Sequence, residues 1–184
     1  MDDVVEDMIV LIAVVIIGLV IASFAFSYFV PKISFSNAES LSNSMASSMS
    51  VSNGPLLVSG GEGSALFEAY DPSYNYNYTV IAFVEPSSYA SSVGLVTPST
   101  PTTSSSFQVI MPNGKVASTV NVGTVYSLSG TILVTSGVGY TVPANTPFTV
   151  KIPANSGDIL VVWFLYQEDG YTFRVDYAYS GVPS

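Results

Sequence analysis

The sequence predicts a long N-terminal hydrophobic α-helix followed by an all-β, immunoglobulin-like β-sandwich domain. Three observations carry this expectation. Met8 to Val30 runs without a single charge. Near Ser52 the apolar pattern changes from helical spacing to a period of two. The composition is poor in charge, at 9 %, and its aromatic share of 12 % joins abundant Val and Thr, the residues that suit pleated strands. The expected organisation is a hydrophobic helix over 1–31, an amphipathic Ser-rich helical extension over 32–52 and an exported β-domain over 53–184.

The segment MIVLIAVVIIGLVIASFAFSYFV, Met8 to Val30, extends about 35 Å as a helix, enough to span a hydrocarbon core of about 30 Å. A cleavable secretory signal has a basic flank and a shorter apolar stretch. Here the flank is acidic, with Asp2, Asp3, Glu6 and Asp7, and the run is longer, so the segment is expected to persist in the working protein. An N-terminus retained inside normally carries Lys or Arg. Either the orienting charges lay on a leader already removed, making Met1 a processed end, or the inside-positive bias is weak here. Gly18 and Ala22 stand at i, i+4 and are followed by Ser23 and Ser27, the small residues that let helices approach closely. Gly and Ala are also frequent in any membrane helix.

Beyond Pro31, the residues Ile33, Phe35, Ala38, Leu41, Met45 and Met49 recur at spacings of two to four, with Ser and Asn between them. This reads as a one-sided helix that needs a surface to lie on, because Ser and Asn are poor helix formers alone. A Ser-rich linker is the alternative.

Strands are expected at Pro55–Ser59, Ala65–Tyr70, Tyr78–Val84, Phe107–Met111, Lys115–Val122, Thr131–Thr135, Gly139–Val142, Phe148–Ile152, Asp158–Gln167 and Tyr171–Tyr179. Pro112–Asn113–Gly114 signals a hairpin, and the segments at 131 and 139 read as a second pair. Asp158–Gln167 is the most apolar and is expected to be central. In Tyr171–Tyr179, strict alternation puts Thr172, Arg174, Asp176 and Ala178 on one face. The stretch Pro86–Ser106 has the Ser/Thr/Pro composition of an extended, often O-glycosylated segment or of a plain exposed loop. Asn77–Tyr78–Thr79 is an N-x-S/T sequon, which makes Asn77 a candidate N-glycosylation site.

The chemistry available is narrow. With no Cys and no His, disulfides, Cys/His zinc sites and Cys- or His-based catalysis are excluded. No G-x-S-x-G elbow is present, and Gly60, Gly61 and Gly63 are not followed by the Lys-Ser/Thr of a phosphate loop. No catalytic, cofactor-binding or metal residue is assigned. The carboxylates of Glu62, Glu68 and Asp71, or of Glu168 and Asp169 beside Gly170, are oxygen ligands that suit Ca²⁺, but EF-hand spacing is missing. Net charge is -9, and the four bases Lys32, Lys115, Lys151 and Arg174 are scattered, so no groove for nucleic acid is expected. Exposed tyrosines such as Tyr74, Tyr76 and Tyr78 suit sugar stacking, though alternating Tyr also lines strands.

The run from Glu6–Asp7–Met8–Ile9–Val10–Leu11–Ile12 through Ser27–Tyr28, continued by Ser40–Leu41–Ser42–Asn43–Ser44–Met45, resembles the archaeal type IV pilin and archaellin superfamily, filament subunits made with class III signal peptides. The resemblance covers about the first 50 residues. It implies that a prepilin peptidase removes a leader and that the helix leaves the membrane to join a bundle at the centre of a helical homopolymer, with Ile9 and Ile12 in that filament core. It implies an extracellular filament for adhesion or motility, with copies of the same chain as partners, the membrane before assembly, and a surface layer, host or abiotic surface beyond. No cofactor is implied. The alternative keeps the helix as a permanent anchor, with an exported β-domain of the archaellum or cell envelope that binds the surface layer.

Overall fold

The computed structural model describes residues 2–73 and 76–181. The chain forms two compact units, Met1–Ala38 and Glu39–Ser184. Helix α1 runs from Asp2 to Ser48 and contains Pro31. In the first unit, every described side chain from Val4 to Ile33 is exposed except Ala25, which is half-buried.

The second unit begins with the last turns of α1. This Ser/Asn-rich stretch is held as a helix by its packing on the β-domain, and its polar side chains bond back to carbonyls one turn earlier: Asn43 Nδ2 to the Glu39 carbonyl (3.0 Å) and Ser47 Oγ to the Asn43 carbonyl (2.8 Å). Met45 and Met49 enter the core of the β-domain, and Asn43 Nδ2 also donates to the Leu128 carbonyl at 3.3 Å. Leu41 stays exposed, so the expected apolar stripe is only partly used. The helix ends at Ser48 rather than at residue 52, because Ser50–Asn53 pairs in a sheet as β1.

Eleven further strands follow: β2 (Leu57–Ser59), β3 (Glu62–Tyr70), β4 (Asn77–Pro86), β5 (Gln108–Ile110), β6 (Ser118–Val122), β7 (Val125–Tyr126), β8 (Ile132–Val134), β9 (Gly137–Pro143), β10 (Phe148–Pro153), β11 (Asp158–Glu168) and β12 (Tyr171–Gly181). They form two sheets, as the sandwich expectation requires. Sheet A has the order β1-β3-β10-β5, with β2 also on β3, and sheet B the order β6-β9-β4-β11-β12-β7-β8. Pairing is antiparallel except between β12 and β7. β11 is central, between β4 and β12.

Period-two alternation sends neighbouring residues of β4 and β11 into two different cores. Val80, Ala82, Leu160, Val162 and Phe164 face sheet A and pack with Phe67, Phe148 and Val150. Ile81, Phe83, Val161, Trp163 and Leu165 face outward into a second cluster. That cluster is covered by the segment expected to be an exposed loop. Ser87–Leu95 forms a 3₁₀ segment whose Val93 is buried, with Ala90 and Val96 packed beside it. Thr102, also buried, donates to the Val138 carbonyl (2.8 Å) and accepts from its N–H (3.2 Å). The strap lies close because two glycines admit it: a Cβ on Gly94 would stand 2.6 Å from the Tyr177 hydroxyl, and one on Gly137 2.7 Å from Thr102 Oγ1.

Three local expectations change. The turn at Pro112–Asn113–Gly114 forms, with Ile110 bridging Val116 and the Met111 N–H donating to the Lys115 carbonyl at 2.9 Å. Its strands then part, β5 to β10 in sheet A and β6 to β9 in sheet B, so the turn is a corner between sheets. The segments at 131 and 139 are not a pair: β8 joins β7, and β9 joins β4 and β6. Finally, the β11–β12 register shifts between Phe164 and Leu165, where Phe164 opposes Asp176 and Leu165 opposes Arg174. This bulge breaks the alternation. Arg174 lies over Trp163 on the outer face, while Ala178, and Asp176 with it, turns to the inner face. Arg174 and Asp176 therefore do not share a face.

Candidate assembly surface

The feature that sets this chain apart is the surface of α1. Its most apolar 18-residue window has a mean hydropathy of 3.2 and none of it is buried, so the helix is long and apolar enough to cross a membrane. Ile9 is 62 % exposed and Ile12 52 %, and neither is covered by the chain itself. At about 100° per residue, Gly18 and Ala22 fall about 40° apart on one face. Ser23 and Ser27 fall about 140° and 180° round from Gly18, so the four small residues form two strips on nearly opposite faces rather than one. A Cβ added to Gly18 would meet nothing within 4 Å. One turn on, Phe24 and Tyr28 stack with centroids 5.7 Å apart, and Phe29 meets Tyr28 edge-on at 5.5 Å.

This surface needs apolar cover from outside the chain. Lipid supplies it, and so do other apolar helices. Strips of small residues on two faces suit a helix with neighbours on more than one side, since each strip admits a close helix–helix crossing.

At the other end of α1, a buried polar knot fastens its last turn to the β-domain. Asp71 is 1 % exposed. Its carboxylate accepts from Ser48 Oγ (3.0 Å), the Ser73 N–H (2.9 Å) and the Tyr78 hydroxyl (3.3 Å). Asn145, at φ 59°, holds the Asp71 backbone from both sides, through its Oδ1 at 2.8 Å and its Nδ2 at 3.0 Å. Burial, then the Asp71 charge and hydrogen bond, push the Tyr78 hydroxyl well above its ordinary range, so it remains a donor. Spacing does not reveal this knot, because its members are far apart in the chain and Asp71 stands out in the sequence only as an oxygen ligand suited to Ca²⁺.

The remaining candidates are dispersed. Asn77 is exposed at the start of β4, and its sequon partner Thr79 is half-buried. Glu62 pairs with Lys151 at 3.1 Å, and Glu168 accepts from the Tyr166 hydroxyl at 2.6 Å. Among the described residues no group of three or more acidic side chains is placed to hold a metal ion. Tyr78 is buried in the core, Tyr76 is exposed, and Tyr74 lies outside the described residues, so the three do not make a sugar platform.

Arg174 is the most constrained base. Its guanidinium lies 4.9 Å from the Trp163 ring centroid and 5.2 Å from that of Tyr177, and Nη2 donates to the Gly94 carbonyl at 2.8 Å. Burial lowers its pKa, offset in part by the Tyr177 hydroxyl and Asp176. Its role here is to hold the strap against sheet B. No family model, curated protein or solved structure matches the chain.

Proposed function

We propose that this chain is a structural subunit of an extracellular filament of the archaeal type IV pilus kind, assembling through α1, with the membrane holding it beforehand. The observation that carries the reading is the division of apolar surface. The β-domain buries its own core, while α1 leaves an all-round apolar surface from Met8 to Val30 with small-residue strips on two faces. An anchor needs only enough apolar length. Close-packing strips on two sides are an added feature that a bundle uses and lipid does not. The resemblance of residues 6–45 to pilin and archaellin N-termini supports the same reading.

The test is Gly18→Trp and Ala22→Trp in the full chain, both of which put a bulky ring into the strip that these two residues share. Electron microscopy of sheared cells should show filaments lost in both, while circular dichroism shows the β-domain still folded. Normal filaments from both variants defeat the proposal. An unsubstituted protein that stays in the membrane and never forms filaments favours the permanent-anchor reading.

A further inference from the structure

The outward faces of the two sheets are finished differently. On sheet B the chain's own strap covers the apolar cluster around Trp163. On sheet A, Leu57 is 62 % exposed, Leu66 52 %, Tyr70 53 % and Val116 52 %. The pairing register puts them on one face. Val116 bridges Ile110, Ile110 pairs with Thr149, and Thr149 pairs with Leu66, an unbroken row across the sheet. Tyr70 lies two pleats along β3 from Leu66, and Leu57 pairs with Ser64, one pleat the other way. Beside Leu66, opposite Gly54, is a hollow of about 250 Å³ lined by Ser52, Asn53, Gly54, Leu66, Phe67 and Glu68.

Charge on this face is unlike that of the rest of the chain. The protein carries a net -9, so copies of it repel one another. Yet two of its four bases, Lys115 and Lys151, stand on or beside this face, against Glu62 and Glu68, and the local balance is zero. Lys151 and Glu62 pair with each other. Lys115, in the turn beyond β5, and Glu68, beside Leu66 on β3, stand at opposite ends of the apolar row, and neither forms an ion pair among the described residues.

We propose that this face binds the same face of a second copy in a two-fold pair. Such a contact needs a self-complementary surface, in which residue i meets j and j meets i. An axis running along β10 supplies that match. Ile110 and Leu66 lie one strand, about 4.8 Å, to either side of β10, so the axis carries each onto the other. The same rotation brings Lys115 of each copy towards Glu68 of the other. The face spans roughly 19 by 30 Å, less than the ~800 Å² per partner of a standard interface, so the pairing is weak and reversible. A two-fold contact closes on itself and adds nothing along a helical polymer. It ties one filament, or one anchored copy, to another, and so does not depend on the filament reading.

The test uses the full chain in detergent micelles, as an equal mixture of ¹⁴N- and ¹⁵N-labelled protein treated with a zero-length carbodiimide. Mass spectrometry should find Lys115 linked to Glu68 in mixed-isotope peptide pairs, which arise only between copies. Leu66→Asp and Ile110→Asp should each lower that yield by about tenfold or more without changing thermal unfolding, since both side chains face outward. Lys115→Glu alone should abolish the link, and combining it with Glu68→Lys should restore one between positions 115 and 68. Same-isotope links only, or mixed links that survive Leu66→Asp, overturn the proposal. Gly18→Trp should leave the link intact, which separates this contact from assembly through α1.

Discussion

The two most apolar stretches of the chain meet opposite fates. Ile159–Tyr166 in β11 is buried at every position. Met8–Val30 in α1 is exposed at every position but Ala25. Their compositions are alike, so apolarity does not decide burial. What decides it is the cover the chain supplies. β11 has β4 and β12 beside it, sheet A below and the strap above, so its two faces both read as apolar, as in any strand covered on both sides. The chain provides no such layers for Met8–Val30, and contiguous apolar surface of that extent marks a contact with lipid or protein. The β-domain, together with the last turns of α1, closes its core within the chain, and the stretch Met8–Val30 finds its cover only outside it.

The largest expected effect breaks this comparison at one residue in each stretch. Phe164 is fully buried between Tyr78 and Phe148, with ring centroids at 6.5 and 6.1 Å. Phe164→Ala should destabilise the β-domain by about 3–5 kcal/mol through lost transfer energy and the cavity left behind. Ile12→Ala removes apolar atoms too, but from a side chain 52 % exposed, and should leave β-domain unfolding unchanged within about 0.5 kcal/mol. Denaturant titration of the two variants in detergent reads both. A comparable loss from Ile12→Ala would mean that the part of α1 before Glu39 contributes to the stability of the second unit.

A smaller effect sharpens the account of the cover over β11. Val93 is buried in the outer cluster with Trp163, the only tryptophan in the chain. Val93→Ala deletes two methyl groups, worth about 1.5 kcal/mol at about 0.8 kcal/mol each. Acrylamide quenching of Trp163 fluorescence should rise as the strap loosens. If the Ser/Thr/Pro stretch were an uncommitted loop, neither stability nor quenching would move.

Much of this was legible in the residues. The helix announces itself by an uncharged run, and β11 by length and β-branched content, because both signals are local. The strap was not legible: Pro86–Ser106 is dominated by Ser and Thr, and its function rests on a few residues, Val93, Val96 and Thr102, whose partners lie in β11 and β9. Periodicity counts residues on one strand and assumes an unbroken ladder, so the bulge at Phe164/Leu165 reversed the face assigned to Asp176 and Ala178 relative to Arg174. Turn chemistry located the corner at Asn113–Gly114 correctly, but strand partners depend on which sheet each strand joins, and that is a property of the whole domain. For the candidate surface, spacing found the small residues, and helical angle alone was needed to see that they form two strips.

The smallest effect concerns that reversed position. Asp176 is half-buried, and desolvation raises its pKa against the lowering from the Tyr177 N–H bond (2.7 Å) and the Arg174 charge. The net upward direction means that burial outweighs both favourable partners. For an acid whose folded pKa is raised, the stabilising contribution is fully present below the unfolded value of about 3.9 and is lost as pH rises through the higher folded value. At pH 7 the carboxylate is therefore a net burden. Asp176→Asn keeps an oxygen to accept from Tyr177 and removes the charge, so it should raise stability at pH 7 by less than about 1 kcal/mol, given the screening a half-exposed group enjoys. The gain should shrink as the solution is acidified and vanish below about pH 4, where both side chains are neutral. Paired denaturation curves at pH 7 and pH 3.5 check it. A variant less stable than the parent at pH 7 would show that the attraction to Arg174 across the bulge exceeds the cost of burial, and that the two charged residues act as a pair despite facing opposite sides of β12.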